Sequence, residues 1–344
     1  MKKFLALILS LVMVLSLVAC GGGAAEGEGE GEGEVTTIKV GMVTDVGGIN
    51  DQSFNQGAWE GLKNLTAADP SFEVTYLESK TDADYQTNIN TFVDEGMDLI
   101  ICVGYMLADA TREAALANPE QKFAIVDDST NADLDNVACL MFAQEQGSYL
   151  VGLVAGYMTE SKTVGYIQGM VSDTMNLFGI GYIEGVLAAC PDATVLQYNA
   201  NSFVDVAGGS AAAKDMITKG ADVIYHAAGG TGVGMINTCN EEGVWAIGVD
   251  ADQSYLAPEA VITSEMKRVD NACVAISKDL QAGNFTGGVH TYDLSNGGID
   301  IAPTTTHIPE DVLAKVDEAK AAILDGTIVV STTADKCPQF TLGE

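Results

Sequence analysis

Leu99-Ile100-Ile101-Cys102-Val103 is apolar at five successive positions. A strand with one wet face alternates apolar and polar residues, whereas a run that is apolar on both faces belongs in a parallel sheet covered on both sides. Outward from this run the same pattern recurs as Ile38–Val43, Val74–Leu77, Phe123–Val126 and Val137–Phe142, and again as Val164–Ile167, Thr194–Tyr198, Val223–Tyr225, Trp245–Val249 and Val261–Thr263. Between most of these runs lies a longer segment with helical character. Strand, helix, strand in regular alternation predicts an α/β chain, because right-handed crossovers place helices on both faces of a parallel sheet. About 300 residues exceed what one core usually holds, so two lobes are expected on size alone. The order agrees: four strand-helix units fill Ile38–Val126, four more fill Val164–Val249, and the helical stretch Glu145–Met158 lies between. The expected organisation is two doubly wound lobes, residues 36–142 completed by roughly 266–300, and residues 143–265 with part of 301–344. With no low-complexity linker between them, short crossovers near Phe142–Gln144 and Thr263–Lys267 would form a hinge. A further helix is expected over Pro309–Leu324.

The amino terminus reads as an export signal. Met1-Lys2-Lys3 precedes an apolar run from Phe4 to Val14 broken only by Ser10, and the segment ends in Leu17-Val18-Ala19-Cys20. The positive start and short apolar core suit a signal peptide over residues 1–19, whereas a spanning helix needs roughly 20 apolar residues. Ala19-Cys20 resembles the lipoprotein signal, in which the cysteine is diacylated and becomes the new terminus; the competing reading is ordinary cleavage nearby. From Glu26 to Glu34 glycine and glutamate alternate strictly, with no side chain able to pack, so residues 20–35 read as a tether between membrane and domain.

The formal net charge is −32, and removing residues 1–19 takes away two lysines and no acid. So acidic a domain repels phosphates, which argues against nucleic acid and anionic lipid surfaces as partners and favours neutral or cationic solutes. Apart from Cys20, the cysteines are Cys102, Cys139, Cys190, Cys239, Cys273 and Cys337, none in a Cys-x-x-Cys. Several sit in apolar runs where a thiol acts as a small hydrophobe. In an exported protein they imply a non-oxidising setting or one or two pairs that spacing does not reveal.

In open parallel sheets ligands bind beyond the carboxyl ends of strands, so the loops there are the place to look for a site. After the first strand comes Thr44-Asp45-Val46-Gly47-Gly48-Ile49-Asn50-Asp51-Gln52-Ser53-Phe54-Asn55-Gln56. Ser53 and Gln56 have the spacing of a capping box, predicting a helix from Phe54. Phe54 is then placed to stack on a ligand ring, or alternatively to pack under the Gly47-Gly48 turn. After Val223–Tyr225 comes His226-Ala227-Ala228-Gly229-Gly230-Thr231-Gly232-Val233-Gly234, and the next strand ends in Asp250. The spacing departs from a dinucleotide fingerprint, and the glycines read as close backbone approach to a ligand without a pyrophosphate. Asp250 suits a pair of sugar hydroxyls, since one carboxylate accepts two hydrogen bonds, or a helix cap.

Four segments in order carry a resemblance: Thr44–Leu62, Ala227–Gly234, Ala246–Gln253 (Ala-Ile-Gly-Val-Asp-Ala-Asp-Gln) and Thr263–Asp270 (Thr-Ser-Glu-Met-Lys-Arg-Val-Asp). Together they resemble the BMP family, the basic membrane lipoproteins of the purine nucleoside receptor A type. The resemblance runs from about Thr36 to the carboxyl terminus. It implies a type I periplasmic-binding-protein fold and a nucleoside-binding subunit of an ABC importer, a lipid-anchored monomer that works with a membrane-embedded permease. Carried over by position, it puts Asp45 at polar edges of the base, Phe54 on one base face and Phe203 on the other, Gly229 as backbone contact, and Asp250 with Lys267 at the ribose. Phe178 competes with Phe203 for the second face. Lys267 is also placed to be a hinge residue paired with Asp45 or Asp250. Asp127-Asp128, at another strand end, makes Asp128 a further pocket candidate or a cap.

No catalytic constellation competes: His226, His290 and His307 lie at no metal-ligand spacing, and neither a Gly-x-Ser-x-Gly elbow nor a His-Glu-x-x-His helix is present. No metal or cofactor is implied. His226 either touches the ligand or is a core residue at a strand end. The rival functions are a secreted nucleoside-processing enzyme with Asp45 or Asp250 as base, and a lipoprotein that senses the same ligand without transporting it.

Overall fold

Two parallel sheets lie side by side in the computed structural model, which describes residues 37–342; the signal segment, Cys20 and the Gly-Glu stretch lie outside the described residues. In chain order the strands are β1 (Ile38–Thr44), β2 (Phe72–Leu77), β3 (Leu99–Val103), β4 (Lys122–Val126), β5 (Val137–Phe142), β6 (Thr163–Gln168), β7 (Thr194–Asn199), β8 (Val223–Ala227), β9 (Trp245–Asp250), β10 (Val261–Lys267), β11 (Gly288–Tyr292) and β12 (Ile299–Ile301). The first sheet has the order β11-β5-β4-β3-β1-β2 and the second β12-β10-β9-β8-β6-β7. Every pairing is parallel except β10 with β12. The all-apolar run that begins the sequence reading is β3, fully buried at each of its residues in the interior of the first sheet.

The helices are α1 (Phe54–Ala68), α2 (Asp84–Asp94), α3 (Ala108–Ala117), α4 (Gln144–Met158), α5 (Asp173–Ala189), α6 (Val206–Thr218), α7 (Gly229–Glu242), α8 (Val269–Gln281) and α9 (Glu310–Leu324). None is long and apolar enough to cross a membrane. The chain passes between the sheets three times, at Ala143, at Arg268 and between β11 and β12. The second crossover comes after Lys267 because β10 continues four residues beyond the apolar run, through Ser264, Glu265 and Lys267, which are polar yet buried. Strands β11 and β12 escape an apolar-run search. β11 is a partly exposed edge strand, Gly-Val-His-Thr-Tyr, and β12 is only Ile-Asp-Ile.

The helix start at Phe54 stands where the sequence places it, but the capping box does not form. Ser53 makes no side-chain bond to the helix end. The cap is Asp51, whose carboxylate accepts from the backbone N–H groups of Ser53, Asn55 and Gln56 at 3.0, 2.8 and 3.0 Å. A carboxylate at a helix amino terminus satisfies orphan donors and opposes the helix dipole, so it outcompetes a hydroxyl there.

Helices α4 and α5 cross at backbone contact. A Cβ on Gly185 would overlap the Tyr149 carbonyl oxygen, and one on Gly181 would overlap that of Glu145. Gly185→Ala is therefore expected to destabilise the protein by about 1–3 kcal/mol through overpacking against rigid backbone. Urea unfolding of the purified variant measures this, and an unchanged midpoint would mean that the helices slide apart freely.

Candidate functional site

The carboxyl ends of β1, β4, β8, β9 and β10 converge on a cavity of about 550 Å³, counting the open space at its mouth. Its lining includes Asp45, Asp51, Phe54, Asn55, Tyr105, Asp127, Phe178, Phe203, Gly229, Asp250 and Lys267, drawn from both sheets and their loops. Four carboxylates thus face one ammonium.

Each carboxylate is held differently. Asp45 accepts from the Gly47 N–H at 2.8 Å and from Asn55 Nδ2 at 2.7 Å. Burial still dominates and pushes its carboxyl up to about 6, helped by the charges of Asp51 and Asp127. Asp250 accepts from the Ser53 hydroxyl across the lobe boundary. Its carboxyl is also pushed up to about 6 by burial, with Lys267 and Ser53 opposing the rise. Asp127 is paired with the Lys267 ammonium, and both side chains are almost fully buried. Burial raises the Asp127 carboxyl against the pull of that ammonium. The same ammonium lies 5.0, 5.1 and 5.4 Å from the ring centres of Phe54, Phe142 and Phe178, a desolvated setting that strengthens cation–π attraction.

Two buried acceptors here, Asp127 Oδ1 and Asn55 Oδ1, have no hydrogen-bond partner among the described residues. Leaving such an atom unpaired costs about 1–3 kcal/mol, a cost that a donor brought to it would relieve. Strain points the same way. Asp127 and Asp250 have φ of 66° and 65°, left-handed values that aspartate tolerates better than most residues but that persist only where surroundings impose them. An aromatic cavity with four carboxylates beside one ammonium suits a neutral or cationic molecule rich in N–H and O–H groups, and opposes phosphates.

Residues 38–333 match the family described as Bmp, the PnrA-like ABC transporter substrate-binding proteins. The chain belongs to this family. It is 41% identical over 312 residues to the CD4+ T-cell-stimulating antigen of Listeria monocytogenes, covering 85% of this chain and 87% of that one. It is 38% identical over 318 residues to the ABC transporter nucleoside-binding protein BmpA of Lactococcus lactis subsp. cremoris, covering 86% and 89%. Its fold matches that of a solute-binding protein of an ABC transporter system from Aeropyrum pernix K1, with a TM-score of 0.79 and 28% identity over 87% of this chain and 95% of the other. This Bmp chain is thus an ABC transporter substrate-binding protein, and its two parallel-sheet lobes form the type I periplasmic-binding fold.

Of the residues singled out by sequence, Asp45, Phe54, Phe178, Phe203, Gly229, Asp250 and Lys267 come together at the cavity. Asp128 does not. Its carboxylate turns back to accept from the N–H and hydroxyl of Thr130 at 2.9 and 2.6 Å, and the neighbour that lines the cavity is Asp127. Asp127 takes its left-handed turn just past β4 and meets Lys267 at the cleft, while the Asp128 carboxylate is held by Thr130. Lys267 pairs with Asp127 and not with Asp45 or Asp250. Both Phe178 and Phe203 line the cavity. Phe178 is 2% exposed and shares the Lys267 ammonium with Phe54, whereas Phe203 is only half-buried and rests on Gly169 and Gly229.

The glycine-rich stretch serves packing more than ligand approach. A Cβ on Gly232 would overlap the His226 imidazole, and one on Gly234 would overlap the Val206 carbonyl oxygen. His226 is a core residue, fully buried and bonded to Gln253 at 3.0 Å. Asn55 and Tyr105 are lining residues that the sequence reading leaves unassigned. Asn55 follows Phe54 directly in the loop-to-helix motif, but Tyr105, in the turn after β3, carries no local signal of its place. The cysteines other than Cys20 are all free, and Cys102, Cys139, Cys239, Cys273 and Cys337 are buried. Of the two alternatives for these cysteines, concealed pairs do not form among the described residues.

Proposed function

We propose that this chain is the nucleoside receptor of an ABC importer, anchored by a lipid on Cys20 at the outer face of the membrane and acting as a monomer beside its permease. The observation that carries the reading is the pairing of aromatic walls with unpaired acceptors in one acidic cavity. Phe54 covers one face of the base and Phe203 the other, because Phe178 lies deeper against Lys267. Asp45 and Asp127 take the donors of the base edge, Asp250 and Lys267 hold the ribose hydroxyls, and Gly229 offers backbone. Purine nucleosides are the preferred class, in keeping with the resemblance of the four motifs. Ligand binding draws the lobes together about the crossovers at Ala143 and Arg268, and the site is used for capture and release without chemistry.

Denaturing the purified protein and identifying any released small molecule by mass spectrometry tests this directly, followed by calorimetric titration with purine and pyrimidine nucleosides. Tight binding of intact nucleoside is expected. Free base in the supernatant would indicate a hydrolase, and binding of a sugar or peptide in place of every nucleoside would overturn the assignment.

Phe54→Ala is expected to weaken nucleoside binding by about 1–3 kcal/mol, the usual worth of stacking on one base face. The same titration checks it, and unaltered affinity would remove Phe54 from the site.

A further inference from the structure

A second set of contacts joins the lobes outside the aromatic cavity. Gln52, on the loop before α1, meets two residues of the loop after β9: Gln253 Nε2 donates to the Gln52 carbonyl oxygen at 2.9 Å, and the Tyr255 hydroxyl donates to Gln52 Oε1 at 2.7 Å. None of the three lines the cavity. Gln52 has a φ of 58°, a left-handed value for a residue other than glycine, which holds only where neighbours impose it.

The direction of the Gln253 amide follows from its partners. The Val249 N–H, which can only donate, reaches Gln253 Oε1 at 2.9 Å, so that atom is the carbonyl oxygen and the NH₂ end must face Gln52. His226 Nε2 lies 3.0 Å from the same oxygen and therefore carries the proton. Burial holds His226 down to about 4, so the ring stays neutral in that tautomer. The Gln253 N–H donates in turn to Ser264 Oγ at 3.1 Å, and the residue is fully buried. Every bond that orients Gln253 comes from its own lobe, and its one outward donor meets the other lobe. The amide is thus preset before the lobes touch.

We propose that Gln253, oriented by Val249 and His226, is a closure latch that sets how long a ligand stays bound, with Tyr255 as its second, solvent-facing arm. The inference rests on the reading of the chain as a closing receptor. Contacts that form only once the lobes meet oppose escape and leave entry unaffected, so their signature is in the dissociation rate.

Gln253→Glu keeps the shape but turns the donor facing Gln52 into an acceptor. Tyr255→Phe removes one hydroxyl from a side chain that is 55% exposed, so its folding is not in question. Stopped-flow fluorescence with inosine is expected to show dissociation at least about tenfold faster for Gln253→Glu and about threefold faster for Tyr255→Phe, with association within about threefold of wild type. Nitroxide pairs placed across the lobes, read with and without inosine, should show wider separations in both variants. Wild-type dissociation and wild-type separations in both variants overturn the latch, and so does slowed association with unchanged dissociation. If wild-type protein binds neither inosine nor any other nucleoside, the nucleoside reading falls alone. The nitroxide distances then decide the latch, and unchanged separations overturn it.

Discussion

Asp250→Asn is expected to weaken nucleoside binding by about 10- to 100-fold while making the ligand-free protein more stable. The binding loss follows from replacing a carboxylate that can accept two hydroxyl donors by an amide that can accept only at one end, since hydrogen bonds to charged groups contribute about 1.5–3 kcal/mol each. The gain in stability follows from the same side chain. Burial pushes the Asp250 carboxyl up to about 6, so carrying its charge at neutral pH costs the folded protein stability relative to the unfolded chain. A shift of this size from an ordinary value of 3.8 corresponds to at most about 3 kcal/mol, and asparagine removes that term while tolerating the left-handed backbone as well as aspartate does. Calorimetric titration and urea unfolding of one preparation measure both quantities. A variant weaker in both binding and stability would show that Asp250 is a structural cap.

The second expectation concerns pH, and its two parts have opposite signs. Asp45 and Asp250 are both raised to about 6 in the folded chain, so the folded state binds protons that the unfolded chain has already released. Their contribution to stability is fully present below the ordinary carboxylate range and is lost as pH rises through about 6. Glu265 and Glu145 act in the same direction. Glu265 is fully buried with neither oxygen hydrogen-bonded among the described residues, and burial pushes it well above its ordinary value; burial brings Glu145 to about 7. The carboxylates shifted downward, such as Asp69, Asp84 and Asp133, weaken the protein only when pH falls through their lowered values, below the ordinary carboxylate range. Urea unfolding of the ligand-free protein should therefore show stability rising from pH 7 to pH 5, by up to about 1.4 kcal/mol per pH unit for each titrating group.

Nucleoside affinity should move the other way. The hydroxyl donors of the ligand need the charged carboxylate, so affinity is expected to be level above about pH 7 and to fall about tenfold per unit below about 6 for each carboxylate that must be ionised. Titration between pH 8 and pH 4.5 tests this. Constant affinity across that range would mean that neither Asp45 nor Asp250 takes a ligand proton donor. The opposition of the two curves has one cause: acids buried to await a ligand strain the protein that lacks one.

Much of the fold is legible because burial on both faces leaves a local trace. The runs that become the inner strands β3, β4, β5, β8 and β9 are almost wholly apolar and buried, and the cleft-side loops follow from the rule that ligands meet the carboxyl ends of parallel strands. Asp45 and Asp250 are within reach for that reason, standing at the ends of such runs, and Phe54 opens the helix that follows the first of them. Where a residue's role depends on a partner far along the chain, local pattern is silent. Lys267 and Asp127 are 140 positions apart, and their pairing exists only because β10 and β4, in different sheets, end at the same cleft. Asp127 and Asp128 look alike in sequence, and only the partners they meet, Lys267 for one and Thr130 for the other, tell them apart. Asp51 caps the helix in place of Ser53, and the Ser53 hydroxyl is bonded instead to Asp250 in the other lobe, a partner 197 positions away. The glycines after β8 look the same in sequence whether they admit a ligand or the His226 ring. Sequence by itself determined the class, the two doubled α/β units and the strand ends at which a site must lie, because these follow from periodicity and chain order. The tertiary structure decided which charges meet, which aromatic ring lies deeper and which polar groups join the lobes, because electrostatics and hydrogen bonding act over a few ångströms of space and are indifferent to distance along the chain.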